Sequence, residues 1–217
     1  KSNIGSATIN ISGTPDIQAQ FVMAAGSGKP PKFTMSGGVI RNTDVTKTFE
    51  TAPATVEYRY TKGNGGAVYL EDGTFTMTGG ILNGLDTSTT SFNYKNGGAV
   101  YMDDPLGSAV LSGGTIKNGS AILGGAVYMT AGQFTLENNG VIQSNNSTSN
   151  GGAIYLGSSG SYKGKFIMTG GTIKNNVASN LGGAIYLDGG DAFVSGGLIS
   201  TNTSINGAGA YFSGGRF

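Results

Sequence analysis

Between residues 64 and 212 one short phrase returns six times: NGGAVYL at 64–70, NGGAVYM at 96–102, GGAVYM at 124–129, NGGAIYL at 150–156, GGAIYL at 182–187 and a degraded NGAGAYF at 206–212. The first glycines (Gly65, Gly97, Gly124, Gly151, Gly182, Gly207) are 32, 27, 27, 31 and 25 residues apart. A period in this range belongs to chains that stack copies of one small unit.

A second phrase fills each interval: FTMSGGVI from Phe33, FTMTGGIL from Phe75, AVLSGGTI from Ala109, FTLENNGVI from Phe134, FIMTGGTI from Phe166 and AFVSGGLI from Ala192. An asparagine usually follows, at Asn42, Asn118, Asn175 or Asn202. No segment keeps the apolar spacing of a helix over three turns, so each repeat reads as short strands joined at glycine corners. The predicted fold is all-β: a single right-handed parallel β-helix over 1–217, a solenoid of about seven to eight coils. Length differences between repeats belong at the corners, with long insertions near 45–63 and 157–165.

Strand parity then decides what faces water. With Val68/Leu70, Val100/Met102, Val127/Met129, Ile154/Leu156 and Ile185/Leu187 inward, Tyr69, Tyr101, Tyr128, Tyr155, Tyr186 and Tyr211 point outward in one file, beside a file of small residues, Ala67, Ala99, Ala126, Ala153 and Ala184. The opposite parity would leave two files of aliphatic side chains in water, at about 1.5–3 kcal/mol each. The tyrosine file serves either as a stack that stabilises the sheet or as an aromatic face for glycans or a neighbouring protein.

Composition removes several function classes. Without Cys or His there are no disulfides, thiolate or imidazole metal sites, cysteine nucleophiles or Ser-His-Asp catalysis. A net charge of +1, with Lys and Arg scattered, gives no basis for binding nucleic acid. No apolar run approaches the ~20 residues of a membrane-spanning helix, so membrane insertion is not expected. The opening KSNIGSATIN has neither Met nor an apolar signal core, which fits a processed or excised chain. Despite 40 glycines there is no GxxxxGK[ST] loop.

The GGAI/GGAV phrase, with its apolar strands and asparagines, resembles the GGA[ILV] repeats of chlamydial polymorphic membrane proteins, which are autotransporter adhesins. GTFTMTGG at 73–80, followed by Asn and GGAVY, resembles the GTFTMSGGTI-type repeats of large bacterial surface proteins. The resemblance spans nearly the whole chain from about residue 33. The F-x-x-N partner phrase of the first family is replaced by I-x-N at Ile40/Asn42, Ile116/Asn118 and Ile173/Asn175, and a C-terminal barrel is not expected within these 217 residues. The resemblance implies a β-helix that is secreted or displayed on a bacterial cell surface, with adhesion or structure as its role.

Polysaccharide-cleaving β-helices need clustered acids, with calcium or in acid/base pairs. Glu71, Asp72, Asp103 and Asp104 are the best candidates, but acids also suit solvated corners, and Arg is scarce (Arg41, Arg59, Arg216). Neither metal, cofactor nor catalytic residue is expected. Ice binding is disfavoured because the outward file Thr34, Thr76, Val110, Thr135, Ile167, Phe193 loses its hydroxyls halfway.

The ends carry complementary halves of the repeat. ATINISG at 7–13 is a second phrase, with Ile9 and Ile11 in the places of Phe75 and Met77, whereas the last coil holds a first phrase through Tyr211 and Phe212 and stops at SGGRF. Copies could therefore stack head to tail through Ile9, Ile11, Tyr211 and Phe212, growing a surface fibre. The sequence-level expectation is a non-enzymatic extracellular structural or adhesive protein whose partner is a further copy or a host or cell-surface glycan or protein. The alternative is a β-helix that binds or cleaves glycans through the tyrosine face and the acidic corner.

Overall fold

A computed structural model describes residues 8–18, 21–23, 30–41, 64–84 and 94–217. The corner expected at 45–63, with Asn42 and Arg59, lies outside the described residues. Among those described there is no helix; the strands form a 12-stranded, a 7-stranded and a 4-stranded sheet, plus one two-stranded hairpin.

The chain visits the three large sheets in a fixed order. Within each of them every strand pairs in parallel with its equivalent one repeat later. The FTM half of the second phrase (Lys32–Met35, Gln133–Leu136, Lys165–Met168) and its GGxI half (Val39–Arg41, Val141–Gln143, Thr172–Lys174) lie in the 12-stranded sheet. In two repeats the halves merge into the ten-residue strands Thr74–Asn83 and Ser108–Lys117, whose pairing shifts register at Gly113. The segment between the second phrase and the next first phrase (Tyr94–Asn96, Ser120–Leu123, Asn146–Asn150, Val177–Ala178) enters the 4-stranded sheet, and the VYL-type strands build the 7-stranded one.

Identical phrases in register turn the interior into columns. Phe33, Phe75, Phe134 and Phe166 occupy one, with Ala109 as a gap; Met35, Met77, Leu111, Leu136 and Met168 occupy the next, and all are essentially inaccessible. Each large side chain so buried contributes about 1.5–3 kcal/mol.

The alanines of GGA belong to this core and not to the outer face. Ala67, Ala99, Ala126, Ala153 and Ala184 are 0% exposed and pack in the core cluster, which corrects the expected small-residue file beside the tyrosines. The chain has already turned at the glycines, so the alternation read from the strand does not extend back through them. Gly124 holds the left-handed conformation (φ 65°), and a Cβ on Gly125 would collide with the carbonyl oxygen of Gly152 one repeat on. The backbone can then bond from repeat to repeat, with Ala99 N–H donating to the Ala126 carbonyl and Ala126 N–H to that of Ala153, both at 2.9 Å.

The irregularity at 157–165 is a small antiparallel hairpin, Ser158–Ser159 with Tyr162–Lys163, exposed along its length. The 7-stranded sheet also contains Phe21–Met23, which pairs with Val68–Leu70. This strand has the place of a first phrase without the GGA signature that marks the others.

Candidate functional site: the tyrosine column and its acidic flank

Register alone places the six tyrosines. Tyr69, Tyr101, Tyr128, Tyr155, Tyr186 and Tyr211 are successive Cα partners in the 7-stranded sheet, and Val22 precedes Tyr69 in the same column. The flanking valines, isoleucines, leucines and methionines of Val68–Leu70 to Ile185–Leu187 are 0% exposed, and the tyrosines stand outside the core cluster.

The rings stack. Centroids are 5.0 Å apart for Tyr69–Tyr101, 5.2 Å for Tyr101–Tyr128, 5.0 Å for Tyr128–Tyr155, 5.4 Å for Tyr155–Tyr186 and 5.8 Å for Tyr186–Tyr211, with planes within 27° of parallel. Such contacts contribute about 0.5–1.5 kcal/mol each beyond area burial. Stacking also hides the rings: Tyr101, Tyr155 and Tyr186 are only 9%, 8% and 7% exposed. The inner rings have a neighbour on both faces, so the column offers edges and hydroxyls in place of an aromatic platform.

The hydroxyls turn toward a polar flank. The Tyr155 hydroxyl donates to Asp188 Oδ2 at 2.6 Å and the Tyr69 hydroxyl to Asp103 Oδ2 at 3.4 Å, each acceptor lying two positions beyond the tyrosine of the next repeat. Burial, then Asp103 and Glu71, push the Tyr69 phenol up to about 12. Burial followed by Asp103 raises Tyr101, and burial followed by Asp103 and Asp188 raises Tyr128. Tyr155 is raised by burial and then by its hydrogen bond to Asp188. These groups hold their protons because a phenolate would be poorly hydrated and face a carboxylate.

At the acidic corner, Asp72 accepts from Gly73 N–H at 2.6 Å, Asp104 from Leu106 N–H at 2.9 Å and Asp103 from Tyr69. These carboxylates cap corners and a phenol. Among the described residues no group of three or more acids is placed to hold a metal ion.

Sequence reasoning missed a second column. Asn145 and Asn176 are 1% and 0% exposed; Asn145 Nδ2 donates to Asn176 Oδ1 at 2.8 Å, and Asn176 Nδ2 to Asn202 Oδ1 at 2.9 Å. The same oxygens accept the backbone N–H groups of Asn145 (3.0 Å) and Asn176 (2.9 Å), while the amides also donate to Gln143 and Lys174 carbonyls. In the preceding repeat Gly119 holds the place and donates its N–H to Asn145 Oδ1 at 2.9 Å. The pattern in the sequence is I-x-x-N, at Ile142/Asn145, Ile173/Asn176 and Ile199/Asn202. The I-x-N asparagines Asn118 and Asn175 do a different job, holding left-handed turns at φ 56° and 55°. The F-x-x-N spacing of the resembled family is thus present, with isoleucine in place of the aromatic.

The proposed assembly residues lie on the outermost described strands. Ile9 (43% exposed) and Ile11 (8%) are on Thr8–Ile11 of the 12-stranded sheet, and Tyr211 and Phe212 (51%) on Ala210–Phe212 of the 7-stranded sheet. Their in-register counterparts at the opposite end are Ala192, Val194, Val22 and Met23. The chain itself occupies part of that edge: Arg216 bridges Asp191 in parallel, its carbonyl accepts Ala192 N–H at 2.8 Å, and its guanidinium bonds Asp191 Oδ2 at 2.6 Å. That hydrogen bond, with Lys163 at 3.6 Å adding to the attraction, holds the Asp191 carboxyl below the usual range.

Residues 170–188 match the model of the Chlamydia polymorphic membrane protein repeat. The matched stretch carries Ile173, Asn176 and GGAIYL, hence one rung of both columns. No curated protein and no solved structure matches the chain.

Proposed function

We propose that the chain is a right-handed parallel β-helix of about seven coils, displayed on a bacterial cell surface as a structural or adhesive element that catalyses no reaction. The carrying observation is the continuity of the columns: three sheets are visited in one order, and each strand in them pairs only with its equivalents in adjacent repeats. Parallel connections of this kind are right-handed in about 98% of cases. The match to a polymorphic membrane protein repeat supports the surface assignment. Against a polysaccharide-cleaving role stand the local hydrogen bonds that occupy Asp72, Asp103 and Asp104. Against sugar stacking on the tyrosines stand ring faces already covered by one another.

Expression in its native cell, followed by brief external proteolysis, tests display: loss of the chain from intact cells supports the reading and full protection overturns it. Incubation with acidic and neutral polysaccharides, with and without calcium, tests the absence of catalysis, and any release of oligosaccharide would defeat it.

A second reading, head-to-tail self-assembly into a surface fibre, rests on apolar exposure at the last coil: Val194 37% and Phe212 51%, in columns that are covered in earlier repeats. A copy seated there must accommodate Arg216 and Phe217, so its docking is not a plain continuation of the repeat. Electron microscopy of the protein and of Phe212→Asp decides: filaments lost on substitution support assembly, and single particles in both samples remove it.

A further inference from the structure

We propose that the tyrosine column is a site of proton-coupled one-electron oxidation, with Tyr155 giving up the electron and Asp188 taking the proton. Three observations converge on Tyr155. Its hydroxyl donates to Asp188 Oδ2 at 2.6 Å, at the short end for O–H···O and typical of a bond to a charged acceptor. Its ring lies between Tyr128 at 5.0 Å and Tyr186 at 5.4 Å, so electron deficiency arising there meets electron-rich neighbours on both faces. At 8% exposure it is also shielded from a second protein molecule.

A phenol that loses an electron becomes a strong acid, and the ease of the step depends on a base within hydrogen-bond reach. An exposed phenol has water for that base; Tyr155 has a carboxylate in contact. One electron passes from the Tyr155 phenol to a one-electron oxidant in the medium, such as a high-valent metal complex, which is reduced by one. The phenolic O–H bond breaks and its proton forms an O–H bond on Asp188, leaving a neutral phenoxyl radical beside a carboxylic acid. Tyr69 and Asp103 repeat the arrangement at 3.4 Å, a looser contact. Tyr162 on the hairpin, 56% exposed, is the internal control that an oxidant would reach first if access alone decided.

The test uses the full chain with photogenerated ruthenium(III) tris-bipyridine as oxidant, following phenoxyl absorbance at neutral pH. Asp188→Asn keeps an oxygen able to accept the hydrogen bond but unable to take the proton. Formation of the radical should slow by about tenfold in that variant, and the solvent deuterium effect of the parent protein should change with it. Tyr155→Phe should abolish the fast phase, whereas Tyr162→Phe should leave it intact. Equal rates in the parent and Asp188→Asn, or a fast phase that disappears with Tyr162→Phe and survives Tyr155→Phe, would overturn the proposal. Should Asp188→Asn alter the β-sheet spectrum, the two phenylalanine variants decide alone.

Discussion

The tyrosine and asparagine columns are built by the same device, parallel pairing in register, yet they solve opposite problems. A tyrosine gains from an identical neighbour through ring contact alone and leaves its polar end at the surface, so the column runs unbroken over six repeats. A buried asparagine must satisfy two donors and an acceptor, and does so only when another amide stands above it. That ladder covers Asn145, Asn176 and Asn202, and glycine takes the place at Gly119. Register multiplies whatever it is given; the aromatic version tolerates loss of a member, whereas the amide version leaves orphaned groups on both sides.

The comparison can be broken most forcefully at Asn176. Asn176→Ala removes the acceptor of Asn145 and the donor to Asn202, and should cost about 3 kcal/mol in urea unfolding; a cost below that of losing a tyrosine would refute the contrast. Tyr128→Ser deletes two stacks, to Tyr101 and Tyr155, for about 2 kcal/mol. If its thermal midpoint is unchanged and binding to a surface ligand is lost, the column is a recognition face instead. Tyr155→Phe keeps both stacks and loses only the bond to Asp188, at about 1–1.5 kcal/mol by the same unfolding measurement. Asp103→Asn, acting through the longer contact to Tyr69, should stay within a few tenths of a kcal/mol.

The smallest effect is nil at neutral pH. Tyr69 holds its proton to about 12 in the fold, against 10.0 for an ordinary phenol. The native state thus binds the proton more tightly than the unfolded chain. The associated stability is complete below pH 10 and disappears as pH rises from there through about 12. Phenolate absorbance of the native protein, compared with that of the urea-unfolded chain, reads this displacement directly.

Legibility followed how tightly the phrase is constrained. GGA[VI]Y is printed almost unchanged because Gly124 and Gly125 permit no side chain and their equivalents meet the same neighbours, so the tyrosine column could be written down from spacing and parity. Its near-burial could not, since exposure depends on ring stacking that a one-dimensional pattern does not contain. The asparagine ladder was obscured because adjacent asparagines, as in Asn175–Asn176, do different work: one accepts a left-handed turn, the other enters the interior. Phe21–Met23 escaped because an outer repeat has a neighbour on one side only among the described strands, and the glycine pair that admits a second neighbour is absent.

The backbone bonds from one alanine of GGA to the next span 2.8 to 3.1 Å at every step from Ala67 to Ala184. Each of these junctions is therefore nearly interchangeable with the others. A gene that gains or loses one whole repeat by slippage between its near-identical segments would present the same joint at the splice, shifting the far end by about 4.8 Å. Length, in such a molecule, is a quantity that selection can adjust in unit steps without redesigning an interior.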